Sequence, residues 1–168
     1  MSKDITTKLI QEAKRLEEDA LYSFKGHHNA AESWKDIHYW IGIPTVLLAA
    51  SGSLSAFNNQ NIVAGVLAAL ATFLTILSIF LDPSEKQNSH KVAGASFGAL
   101  KNQARFFYEV EINLEKDNKK LLNSIKTLTT KRDDLNTISP NIPEKSYLKA
   151  KKDIEAGSNE YLIDKVEK

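Results

Sequence analysis

The chain reads as an all-α membrane protein, a two-helix transmembrane hairpin with long cytoplasmic helices forming an antiparallel stalk. Two features lead there. All 43 charged residues lie outside residues 39–81, so that a 43-residue block contains no Asp, Glu, Lys or Arg. A bilayer requires such a stretch, whereas a water-soluble surface seldom leaves one without solvating charge. On both sides of the block, apolar residues recur at steps of three and four, the period of an amphipathic helix.

The block divides at Asn58-Asn59-Gln60-Asn61 into spans 39–57 and 62–81. At 1.5 Å per residue each covers roughly 30 Å, the thickness of the hydrocarbon core. Backbone groups in lipid must bond within their own segment, so both spans are helices, and four polar residues suffice only for a tight turn. Twelve strongly apolar residues make the second span worth about −5 kcal/mol on the insertion scale. The first has seven, near −3 kcal/mol, set against three serines, a threonine, two glycines and Pro44, so it needs a partner.

Orientation follows from Lys and Arg. The turn has none, residues 1–38 carry six and residues 82–168 sixteen, which leaves both ends cytoplasmic. Tyr39 and Trp40 stand where interfacial aromatics anchor a span. No apolar h-region follows a basic start, so no secretory signal is expected. Cysteine is absent, which removes disulfides and thiolate metal sites from consideration. A net charge of +1 argues against a dedicated nucleic-acid binder.

Outside the block, residues 1–38 form one helix on the stripe Ile5, Leu9, Ala13, Leu16, Ala20, Phe24, Ala31 and Trp34, with one step skipped between Phe24 and Ala31. Asp82-Pro83-Ser84-Glu85 starts another: Asp caps, Pro fits the first turn and Glu can return a hydrogen bond. From there Ala93, Phe97, Leu100, Ala104, Phe107, Leu114, Leu121, Ile125, Leu128 and Leu135 keep a four-three register, predicting a long helix over 82–137, on the order of 80 Å if unbroken. Glu111, Asn118 and Arg132 share that register and imply that partners change along it. Phe97, Leu100, Ala104 and Phe107 are the expected stalk-packing residues, and Ala93 to Ala99 are mostly small enough for close approach. Residues 138–168 contain a proline turn at 140–143, a short helix from Glu144 to Ala156 and a loose tail beyond Gly157.

At 100° per residue, Ala64, Gly65, Ala68, Ala71, Thr72, Thr75 and Ser78 share one face of the second span, and Thr45, Ser51, Gly52 and Ser55 one face of the first, interrupted by Leu48. Such faces either pack helices together or line a water-filled path in an oligomer of four or more subunits. Both uses fit Thr45, Ser51, Gly52, Ser55, Gly65, Ala68, Thr72, Thr75 and Ser78.

Other candidates carry less. His27 and His28 are adjacent and point to different sides of a helix, and His38 and His90 stand apart from them; surface or packing roles are expected, with a pH-responsive contact at His90 as the sharper alternative. Lys116, Lys119, Lys120, Lys149, Lys151 and Lys152 alternate with acids and read as solvated faces. There is no phosphate-binding glycine loop, nucleophile elbow, H-E-x-x-H or intramembrane carboxylate pair, so no catalytic residue, metal or cofactor is expected.

Leu81-Asp82-Pro83-Ser84-Glu85-Lys86, followed by His90, Ala93, Phe97, Leu100, Ala104, Arg105 and Phe106, resembles the segment after the second span of the SLATT family of small two-transmembrane proteins. The Trp34-Lys35 to Trp40 entry, the short polar turn, Ile142-Pro143-Glu144-Lys145-Ser146-Tyr147, Ala150-Lys151-Lys152 and Ile154-Glu155-Ala156-Gly157 are similar too. The likeness covers residues 20–164, and Phe97 stands where family members often have Tyr. It implies a membrane effector of prokaryotic antiphage defence, a homo-oligomeric pore in the bacterial or archaeal inner membrane. It further implies a cyclic oligonucleotide or a sensor protein as trigger, with no ligand-binding residues to carry over. The alternative is a non-conducting anchor whose stalk recruits a partner.

Overall fold

A computed structural model describes residues 3–158, and within them the chain is all-α, with no strand. The order is α1 (Lys3–Phe57), α2 (Asn61–Leu81), α3 (Pro83–Phe106), a π-helical segment (Phe107–Glu111), α4 (Ile112–Leu114), α5 (Asn118–Ile138) and α6 (Glu144–Glu155). The tail expected to be loose lies outside the described residues beyond Ser158.

Two compact units partition the chain. One comprises residues 31–88. Here α1 continues past Pro44, whose missing N–H withdraws one ladder bond from the Trp40 carbonyl without ending the helix. It stops in a Schellman motif: Asn59 takes the left-handed conformation at φ 60°, its N–H donates to the Ala56 carbonyl, and the Gln60 N–H donates to that of Ser55. Asn61, expected in the turn, is already the first residue of α2. Asp82 ends α2 in the same left-handed region and starts α3, its carboxylate accepting from the Glu85 N–H at 3.3 Å. Its own N–H, which a capping box would give to Glu85, donates to the Ser78 carbonyl at 3.0 Å.

Two helices are long and apolar enough to cross a membrane, and only 11% and 6% of their most apolar windows is buried. Phe57, Ile62 and Phe80 are each more than four-fifths exposed. Exposed apolar surface of this extent marks a contact with a membrane or with another protein.

The other unit comprises, among the described residues, 3–30 and 89–158. Its core combines Leu9, Ala13, Leu16 and Ala20 of α1 with Phe97, Leu100, Ala104, Phe107 and Ile112, and with Leu121, Ile125, Leu128 and Leu135 of α5. Positions fall along α1 as they rise along α3 and into the π-helical segment: His27 meets His90, Phe24 meets Gly98 and Glu17 meets Tyr108. Ala93 and Gly94 are buried and Gly98 lies against the Phe24 ring, whereas Ala95 and Ala99 face outward.

The long helix expected over 82–137 is not continuous. Two local events divide it. The π-helical turn adds one residue to the repeat, so Ile112 enters the core where an unbroken α-helix would place Glu111. Glu111 instead accepts from the Ser124 hydroxyl, and Leu114, expected in the core register, is 76% exposed. Glu115 then turns extended, and Asp117 caps α5 by accepting from the Lys119 N–H at 2.8 Å. α5 returns along the π-helical segment and α3, with Ser124 bonded to Glu111 and Lys131 to Gln103. Asn118 becomes the first residue of a new helix, and Arg132 sits at the surface, paired with Asp19 and Asp133.

Candidate functional site

The apolar helices meet along a stripe with a period of three and four. On α1 it comprises Ile41, Thr45, Leu48, Gly52 and Ser55; on α2 it comprises Ala64, Leu67, Ala71, Leu74 and Ser78. Gly52 marks a close approach. A Cβ there would stand 3.4 Å from the Leu67 Cβ and 3.5 Å from the Ala64 carbonyl oxygen, ordinary contact for one carbon and no more. Leu48, which breaks the small face in sequence, belongs to this stripe, and Ser51 lies off it, exposed.

The small face of α2 therefore divides. Ala64, Ala71 and Ser78 turn toward α1, while Gly65, Ala68, Thr72 and Thr75 remain exposed on a second stripe, rotated by roughly 100°. Nothing stands within 4 Å of where a Gly65 Cβ would be. The hydroxyls of Thr45, Thr72 and Thr75 donate to the carbonyls of Ile41, Ala68 and Ala71 at 2.7, 2.9 and 2.9 Å. Tyr39 and Trp40 are exposed and, with Ile43 and Pro44, form a shallow apolar cleft. Lys86 places its ammonium 4.5 Å from the centre of the Trp34 ring.

In the other unit the stalk-packing candidates Phe97, Leu100, Ala104 and Phe107 are all at most 2% exposed. Beside them lies a contact expected at His90 only as the sharper alternative, and whose partner, His27, sequence reasoning missed. His27 and His90 are buried, with their Nδ1 atoms 2.9 Å apart. Phe97 stacks on His27 with ring centres 5.5 Å apart. Burial, and then the second imidazole, lower the His27 pKa to about 4; burial lowers that of His90. A signal was present: His27 fills the step skipped between Phe24 and Ala31, and His90 extends the Ala93 register back by three. Tyr108 was missed as well. Its hydroxyl donates to Glu17 at 2.7 Å, and burial followed by that bond raises its pKa.

An open cleft of about 650 Å³ is lined by Glu18, Asp19, Tyr22, Arg132, Tyr147 and Lys151, among others. Its two cations are engaged: Arg132 with Asp133 at 2.9 Å and Asp19 at 3.4 Å, Lys151 with Glu155 at 3.8 Å. The other lysines of the two basic clusters are exposed, Lys120 reaching Glu115 at 3.3 Å. No group of three or more metal-ligating side chains occurs among the described residues. No known family, curated protein or solved structure matches this chain.

Proposed function

We propose that this chain is a homo-oligomeric membrane effector that permeabilises a bacterial or archaeal inner membrane, as its resemblance to the SLATT family implies. The segment of α1 from Tyr39 and the whole of α2 cross the bilayer as a hairpin, with both chain ends in the cytoplasm. The remaining helices form an antiparallel cytoplasmic stalk without catalytic function. One observation carries the oligomer: after α1 and α2 have paired, Gly65, Ala68, Thr72 and Thr75 are still uncovered. Lipid rewards a stripe of small residues only when another helix packs on it, so it fits a neighbouring copy. Two helices cannot enclose a channel, whereas four or more copies joined this way can. A cyclic oligonucleotide or sensor protein that binds the conducting arrangement more tightly would act as trigger. The polar cleft is not assigned to that ligand, because its cations already hold carboxylates.

The test is leakage from dye-loaded liposomes containing the purified protein, alone and with cyclic oligonucleotides. Leakage that Thr72→Leu and Thr75→Leu abolish, with assembly intact, supports the pore. Normal leakage from both variants removes the lining assignment.

A second reading, a non-conducting anchor whose stalk recruits a partner, draws on the threonine hydroxyls. Each is satisfied within its own helix and needs no water. It predicts stable insertion with no dye release under any ligand.

A further inference from the structure

The His27–His90 contact has a chemistry that ordinary packing does not need. Two neutral imidazoles with Nδ1 atoms 2.9 Å apart can share only one hydrogen: one ring carries it on Nδ1 and donates, and the other accepts there and keeps its own on Nε2. Among the described residues, the surroundings offer no counter-charge. From α3 the pair meets Phe97 and Gly94, which lies against the His27 Cβ. On α1, the buried Asn29 is turned to the Ser146 carbonyl of α6 at 3.2 Å. His28, the next residue along the chain, is exposed beside Phe24, Lys91 is exposed, and Lys25 donates to Ser158. Among the described residues no carboxylate or cation perturbs either imidazole; each is held neutral by burial, His27 also by its partner.

We propose that His27 and His90 form a proton-operated latch between α1 and α3, closed by one shared hydrogen bond when neutral and opened when both rings are protonated. A first proton from solvent can land on the free Nε2 of the donor ring, giving an imidazolium that still donates from Nδ1. A second proton must occupy the acceptor Nδ1, the lone pair that holds the bond. Two N–H groups and two positive charges then face one another without a carboxylate between them, and separating the helices lets water solvate both. The latch goes beyond the membrane function proposed above and stands whether or not the apolar helices conduct.

The chain has no cysteine, so paired spin labels can be placed at exposed His28 and Ala95, with a control pair at exposed Asn102 and Lys126. In the full-length protein in lipid nanodiscs, the first pair should gain a longer-distance population, at least about tenfold larger at pH 4.5 than at pH 7.5. The control pair should stay unchanged. His90→Asn, whose amide takes the place of Nδ1 and cannot be protonated, should remove the response. An unchanged first distance, the same shift in His90→Asn, or a parallel shift of the control pair would each overturn the latch. If His90→Asn does not fold, ¹⁵N-histidine spectra of the unlabelled protein decide. One Nδ1–H and one Nε2–H tautomer at pH 7.5, both becoming imidazolium as the longer population grows, support the latch. Two rings titrating independently near 6.5 exclude it.

Discussion

Gly52 stands against Leu67 with room for one carbon between the helices that carry them. Gly52→Ala should therefore leave the α1–α2 pair intact. Gly52→Leu should push the helices apart at a cost of about 1–3 kcal/mol. Spin labels at exposed Ser53 and Val66 report the separation; an unchanged distance in the leucine variant would mean the contact does not set the spacing.

Tyr108 and Glu17 join α1 to the π-helical segment across 91 positions of sequence. Tyr108→Phe leaves the half-buried carboxylate without that donor and should cost about 1–2 kcal/mol in chemical denaturation. The raised Tyr108 pKa gives a sign as well. The unfolded chain ionises first above pH 10, so this contribution is present below pH 10 and declines as pH rises beyond it. The phenylalanine variant should lose that alkaline sensitivity.

Asp117 is the device that starts α5 after the break. Asp117→Ala should lower stability by about 1 kcal/mol, and Asp117→Ser should restore most of it, as read by thermal melts followed by circular dichroism. An alanine variant as stable as the parent would place the cause of the break elsewhere, at the extended Glu115.

Acid should weaken the same unit. His27 titrates at about 4 when folded against 6.5 when exposed, so below pH 6.5 the unfolded chain takes the proton first. This contribution is complete above pH 6.5 and falls toward pH 4, by roughly 2 kcal/mol at pH 5. Denaturation midpoints measured across that range should slope accordingly, and His27→Phe should flatten the slope.

Much of this architecture can be read locally. The charge-free block, the polar break at 58–61 and the Asp82-Pro83 start each act within a turn or two of themselves, and the helices end where those residues stand. Phe97, Leu100, Ala104 and Phe107 are buried because a single helical period aligns them. The break at Glu115–Asp117 escaped because Leu114 and Leu121 are seven apart, which continues the register in sequence even though the chain reverses between them. Asp117 carried the capping chemistry all along, but a cap and a surface acid look alike until the helix before it ends.

Tertiary structure decided what depends on rotation and on distant partners. The two stripes of small residues on α2 overlap on a helical wheel, and only the docking of Leu67 beside Gly52 sends Ala64, Ala71 and Ser78 inward and leaves Thr72 and Thr75 exposed. His27 and His90 each occupy a core step of their own helix, yet their chemistry exists only as a pair, 63 positions apart. Local sequence fixes which face of a helix is apolar, because side chains repeat every 3.6 residues. Which residue that face meets is set by the packing of whole helices, an energy shared among all of them.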